Sequence, residues 1–174
     1  MRLSLPHNAH QGNAPLVLDL PEDWQVTYYP LPGDSWLPLS DADIRSRLEH
    51  PIGSLPLSQL ARGKKRVCIV FDDISRGTPT HRMARAVLDI LLKSGVQKEN
   101  IEFLCALGTH GAHNLQDHIA KLGPDIVHEY PVYNHNCYEN TVSLGKTSRG
   151  VDVRINQEYV RADLRIGLGA VTPH

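Results

Sequence analysis

The sequence predicts an α/β fold: a mainly parallel sheet with flanking helices and a short antiparallel N-terminal hairpin. Three observations carry this expectation. First, "RVCIVF" (66–71) and "NIEFLCAL" (100–107) contain continuous apolar runs, the pattern of strands covered on both faces. Second, "THRMARAVLDILLKSG" (80–95) spaces Met83, Ala86, Val87, Ile90 and Leu91 as a helix does, with Lys93 near its end and Gly95 suited to a left-handed cap. Third, short links join strand, helix and strand, which is the grammar of parallel strands connected by crossovers.

The other elements follow in order. Residues 1–13 lack periodicity and read as a loose N-terminus, so the folded unit is placed at 14–174. "PLVLDLP" and "WQVTYYP" alternate and are expected to pair as the hairpin. The Pro/Gly/Ser-rich "LPGDSWLPLS" is a linker, and Ser40 with Asp43 three residues on resembles a capping box opening a helix through "DADIRSRLEH". "NLQDHIAKLG" is a second capped helix, from Asn114 to Gly123. "IVHEYPV", "TVSLGKT", "VDVRINQEYV" and "ADLRIGLGAV" read as strands, with a hairpin turn at Thr147–Gly150.

The chain has 174 residues, 18 basic and 19 acidic, and a net charge of −1, so no field gathers nucleic acid or an anionic membrane. Its one basic cluster, Arg62, Lys64, Lys65 and Arg66, precedes an apolar strand and reads as a solvated entrance. No apolar run approaches the ~20 residues of a membrane span, and "MRLSLPHNAHQG" lacks the apolar centre of a secretory signal. A cytoplasmic protein is expected. Cys68, Cys105 and Cys137 are odd in number and lack C-x-x-C spacing, so no disulfide framework is expected.

"VFDDISRGTPTHRM" (70–83) crowds polar groups at the junction of strand and helix. In parallel sheets, ligands bind beyond the carboxyl ends of the strands, where loops converge. The first strand ends in Asp72, Asp73, Ser75 and Arg76, the second in Thr109, His110 and His113, and the last in Gly169, Thr172 and His174. Arg76 can grip a carboxylate through its planar fork, His110 and His174 can exchange protons near neutral pH, and Asp73 can orient one of them. Simpler roles are open for the same residues: a helix cap for Asp72 or Asp73, an ion pair for Arg76, a turn for His110 and a loose end for His174.

Other motifs fail on context. "GKT" (145–147) lacks the first glycine of a phosphate loop, "GTHGAH" has no dinucleotide fingerprint, and Ser75 lacks the G-x-S-x-G elbow. His128, His135 and Cys137 have no metal-site spacing, so no metal is expected in this chain.

The motifs "HPIGSLPLSQLARGKKRVCIVFDDISRGTP", "ALGTH", "LGPDIV" and "ADLRIGLGAVTPH", in this order, resemble the N-terminal part of the lactate racemase family. That resemblance implies a 2-hydroxy acid racemase or epimerase that passes a hydride to a nickel-pincer nucleotide and takes it back on either face. It implies substrate binding by Asp73 and Arg76, and proton exchange by His110 and His174. It also implies that the cofactor's attachment lysine and a C-terminal domain lie beyond His174. On this reading the chain is a truncated N-terminal catalytic domain, holds no cofactor and is inactive alone, although it could self-associate as a homo-oligomer. The family pattern "SRPTP" and "THRP" differs here at Gly77 and "HGAH" (110–113), which leaves the particular 2-hydroxy acid open. A different class, a noncatalytic small-anion-binding α/β module, fits the same Arg76 and helix N-terminus near Thr80.

Overall fold

The structure is a computed structural model describing residues 1–5, 14–29, 33 and 36–171. Its centre is a four-stranded parallel sheet built from β3 (Val67–Asp72), β4 (Ile101–Ala106), β5 (Val132–Asn134) and β8 (Leu164–Leu168), in the order β5-β4-β3-β8. The hairpin is also present, but as β1 (Arg2–Leu5) paired antiparallel with β2 (Leu16–Asp19). Two expectations change as a result. Residues 2–5 form a strand rather than a loose terminus, and 24–29 form none, because Arg2 to Leu5 supply the backbone partners that β2 needs.

Side chains alternate along β3. Val67, Ile69 and Phe71 enter the main core, while Cys68 and Val70 face a smaller cluster on the other side. The main core lies under α2 (Leu57–Leu60), α3 (Thr80–Lys93), α4 (Leu115–Leu122) and α5 (Pro124–Glu129). Phe71 and Phe103 are fully buried there and meet edge to face at 6.4 Å, so truncating either to alanine removes about 3–5 kcal/mol. Cys68 and Leu104 on the opposite face are covered by Ala162 and Tyr159, beside and within α6 (Gln157–Arg161).

The helix ends obey local chemistry. Ser40 and Asp43 form a reciprocal capping box at α1 (Asp41–Glu49), and Asn114 and Asp117 form another at α4. Two predicted strands are helical in part. In "IVHEYPV" only β5 is extended, because Pro124 at the first helical position starts α5 through Glu129. In "VDVRINQEYV" the strand β7 (Asp152–Asn156) ends where the Asn156 side chain accepts from the backbone N–H groups of Glu158 and Tyr159 and caps α6. β6 (Thr141–Lys146) pairs antiparallel with β7 across the expected turn, where the Gly150 N–H donates to the Thr147 carbonyl at 2.9 Å. Among the described residues, no helix is long and apolar enough to cross a membrane.

Candidate active site

Parallel strands deliver their exits to one side of the sheet. The carboxyl ends of β3, β4 and β8 border a single open cavity of about 600 Å³, walled by Asp72, Asp73 and Arg76, by Gly108 to His110, and by Gly167 and Gly169. Gly108 turns the chain out of β4 at a positive φ of 60°, which an L side chain rarely adopts, and the His110 N–H donates to the Leu107 carbonyl at 3.0 Å.

Asp73 is only 5% exposed. One of its carboxylate oxygens accepts from the Ser75 N–H at 2.7 Å and from the Ser75 hydroxyl, and the other lies 2.7 Å from Nδ1 of His110. Burial opposes the charge on Asp73, yet the hydrogen bonds from Ser75 and His110 outweigh it and hold the carboxyl below its ordinary value of 3.8. An ionised carboxylate only accepts, so Nδ1 of His110 carries the hydrogen, and in the neutral imidazole the lone pair is on Nε2. The His110 side chain is 54% exposed and lines the cavity. An imidazole held in this way can exchange a proton with a group in the cavity.

Asp72 turns to other partners. It accepts from the hydroxyls of Thr78 and Thr80, and Nζ of Lys121 lies 2.8 Å from its Oδ1. Lys121 belongs to α4, has a side chain only 3% exposed, and also donates to the carbonyls of Arg76 at 2.7 Å and Thr78 at 3.4 Å. Arg76 is exposed at the cavity, and among the described residues its guanidinium has no ion-pair partner.

The loop carrying His110 is closed from the far side. The Asn134 side-chain amide donates to the His113 carbonyl at 2.8 Å and accepts from the His113 N–H at 3.4 Å. The buried His118 ring packs on Phe71 at 6.1 Å and His113 at 5.7 Å. Burial first, then the neighbouring His113, keeps the pKa of His118 below 6.5. The Cys105 thiol beneath this loop is pushed up to about 12 by burial and the charge of Asp73, so it stays protonated and is no nucleophile.

The structure thus brings together Asp73, Arg76 and His110 from the sequence-predicted set. His174 lies outside the described residues. The sequence reading missed Lys121 and Asn134. Lys121 follows His118 by three residues and so shares the inward side of α4, but no local pattern names its partner on another loop. Among the described residues, no three or more His, Cys, Asp or Glu side chains converge as a metal site requires.

With this geometry in place, the chain can be set beside known proteins. Residues 11–174 match the family model described as the lactate racemase N-terminal domain. The chain belongs to that family. The lactate racemase of Thermoanaerobacterium thermosaccharolyticum is 33% identical over 167 residues, a match covering 94% of this chain and 39% of the relative. That of Lactiplantibacillus plantarum is 32% identical over 133 residues, covering 75% of this chain and 31% of the relative. Among solved structures, the lactate racemase apoprotein from the first organism superposes with a TM-score of 0.68 at 28% identity, over 96% of this chain and 38% of the other. The chain therefore spans well under half the length of the curated relatives it matches.

Proposed function

We propose that this chain supplies the substrate-gripping and proton-exchanging part of a 2-hydroxy acid racemase or epimerase. The observation that carries the reading is the 2.7 Å contact between His110 Nδ1 and the buried carboxylate of Asp73 beside the exposed Arg76, whose guanidinium has no ion-pair partner among the described residues. Arg76 would receive the substrate carboxylate, through two parallel N–H donors where the approach allows. His110 Nε2 would take the hydroxyl proton as the carbinol carbon becomes a carbonyl and return it afterwards, while Asp73 balances the imidazolium formed in between. Stereochemical inversion needs a second proton-exchanging group on the opposite face, which the family resemblance assigns to His174.

The resemblance also implies a nickel-pincer nucleotide, which when bound supplies the acceptor for the substrate's hydride. The described residues gather no donor set for nickel, so its attachment is assigned to the portion of the relatives beyond this chain, and no step here runs through it. In a longer polypeptide carrying that portion, racemisation of lactate, malate and sugar acids is expected to fall about 100-fold or more on His110→Gln. Unchanged rates in both His110→Gln and Arg76→Ala would overturn the assignment.

The exposed Arg76 at the cavity also favours the noncatalytic anion-binding reading. Calorimetric titration of the chain with lactate and with propionate, which lacks the hydroxyl, separates the two. The racemase reading expects tighter binding of lactate that weakens in His110→Gln. The anion-binding reading expects equal affinities and indifference to that substitution.

A further inference from the structure

We propose that Lys121 is a positioning residue that fixes the loop presenting Asp73 and Arg76, acting through main-chain carbonyls as well as through Asp72. Its importance for substrate rests on the function proposed above; its effect on the loop does not.

A lysine ammonium has three donors and no acceptor, and a buried one must place all three. Those of Lys121 reach Asp72 Oδ1, the Arg76 carbonyl and the Thr78 carbonyl, at 2.8, 2.7 and 3.4 Å. A side chain serving only to neutralise Asp72 needs just the first contact. The other two grip the backbone on either side of Gly77, in the link from Arg76 to the helix that begins at Thr80. Asp72 closes the ring by accepting from Thr78 and Thr80. The loop is therefore tied at Asp72, Arg76 and Thr78 to one ammonium group on a different element, α4, and Thr80 joins through Asp72. Within it the Arg76 N–H donates to the Asp73 carbonyl at 3.1 Å, so the placement of residue 76 and the attitude of residue 73 are set together. Asp73 in turn fixes His110. A group far from any reacting atom thereby reaches both the carboxylate grip and the proton-exchanging imidazole.

The test uses the 174-residue chain and two variants, Lys121→Met/Asp72→Asn and Asp72→Asn alone. The double variant leaves no buried charge uncompensated, so loss of charge balance alone predicts a native-like loop. Our inference predicts that it folds with the Arg76 amide exchanging about tenfold faster or more, and with the ¹⁵N shifts of the His110 ring moving from a fixed Nδ1–H tautomer towards a mixture. It also predicts that Asp72→Asn alone keeps Arg76 protected, because both carbonyl contacts of Lys121 persist. A double variant with native exchange and a native His110 tautomer would overturn the inference, as would an Asp72→Asn variant as loose as the double. Should the double variant not fold, Asp72→Asn decides: retained protection supports the role and lost protection ends it. Lactate titration of the native chain reports on the functional reading alone. A loop loosened by the double variant in a protein that does not bind lactate keeps Lys121 in its role and removes the substrate assignment.

Discussion

The loop that leaves β3 (73–79) and the loop that leaves β4 (107–113) face each other across the cavity, and they are held in opposite ways. The first is pinned from beneath by a buried ammonium and a buried carboxylate, with Lys121 and Asp73 both nearly inaccessible to water. The second is secured by neutral contacts, the Asn134 amide clasp and the His118 ring, and its His110 side chain projects half-exposed. Among the described residues, the contact of Asp73 with His110 is the one direct side-chain link between the two loops. The contrast is one of chemistry: charge holds the loop after β3, and uncharged contacts hold the loop that presents the half-exposed His110 imidazole to the cavity.

Breaking the charged side gives the largest expected effect. Lys121→Met leaves Asp72 without its cation and should cost about 3 kcal/mol or more in chemical denaturation, much of it recovered when Asp72→Asn is added. Asp73→Ala comes next. It strands the Ser75 N–H and frees His110, for about 2 kcal/mol of stability and loss of the fixed His110 tautomer by ¹⁵N NMR. Asn134→Ala loosens only the second loop, at about 1 kcal/mol, and should raise amide exchange at 110–113 while leaving Arg76 protected. Smallest is Arg76→Ala, an exposed change expected within about 0.5 kcal/mol of native stability that nevertheless removes lactate binding in calorimetry.

The two sides also differ in acid. His118 is held neutral in the fold with its pKa below 6.5, so the unfolded chain binds the extra proton first as pH falls. Stability associated with His118 is therefore complete above 6.5 and declines through the region between that value and its folded pKa. His118→Phe should flatten the decline measured by denaturation at successive pH values. Asp73 behaves differently: its depressed carboxyl contributes fully above 3.8 and is lost only in stronger acid. Mild acid should loosen the second loop before the first.

Much of this was legible in the sequence because its causes are local. The apolar runs at 67–72 and 101–106, the helix between them and the Ser40 and Asn114 caps depend on neighbours within a turn or a strand. Asp73, Arg76 and His110 could be grouped because parallel strands deliver their exits to one place. What escaped depends on distant partners or on competing local signals. "WQVTYYP" alternates as a strand should, yet Trp24 and Tyr29 are exposed, and β2 pairs with β1 instead. Ile126 and Val127 favour a strand by side chain, but Gly123 and Pro124 set the backbone for a helix. Lys121 resembles any solvated lysine until the fold sets it against a loop 45 residues earlier in sequence.

The third wall of the cavity is nearly bare main chain. A methyl group added at Gly167 meets no atom within 4 Å, and one at Gly169 only brushes the Asp72 side chain at 3.9 Å. Neither glycine is locked into a left-handed backbone, so both positions can accept a larger residue. The tip of β8 is thus a free dial for girth: a side chain placed there would narrow the cavity while Asp73, Arg76 and His110 stay as they are.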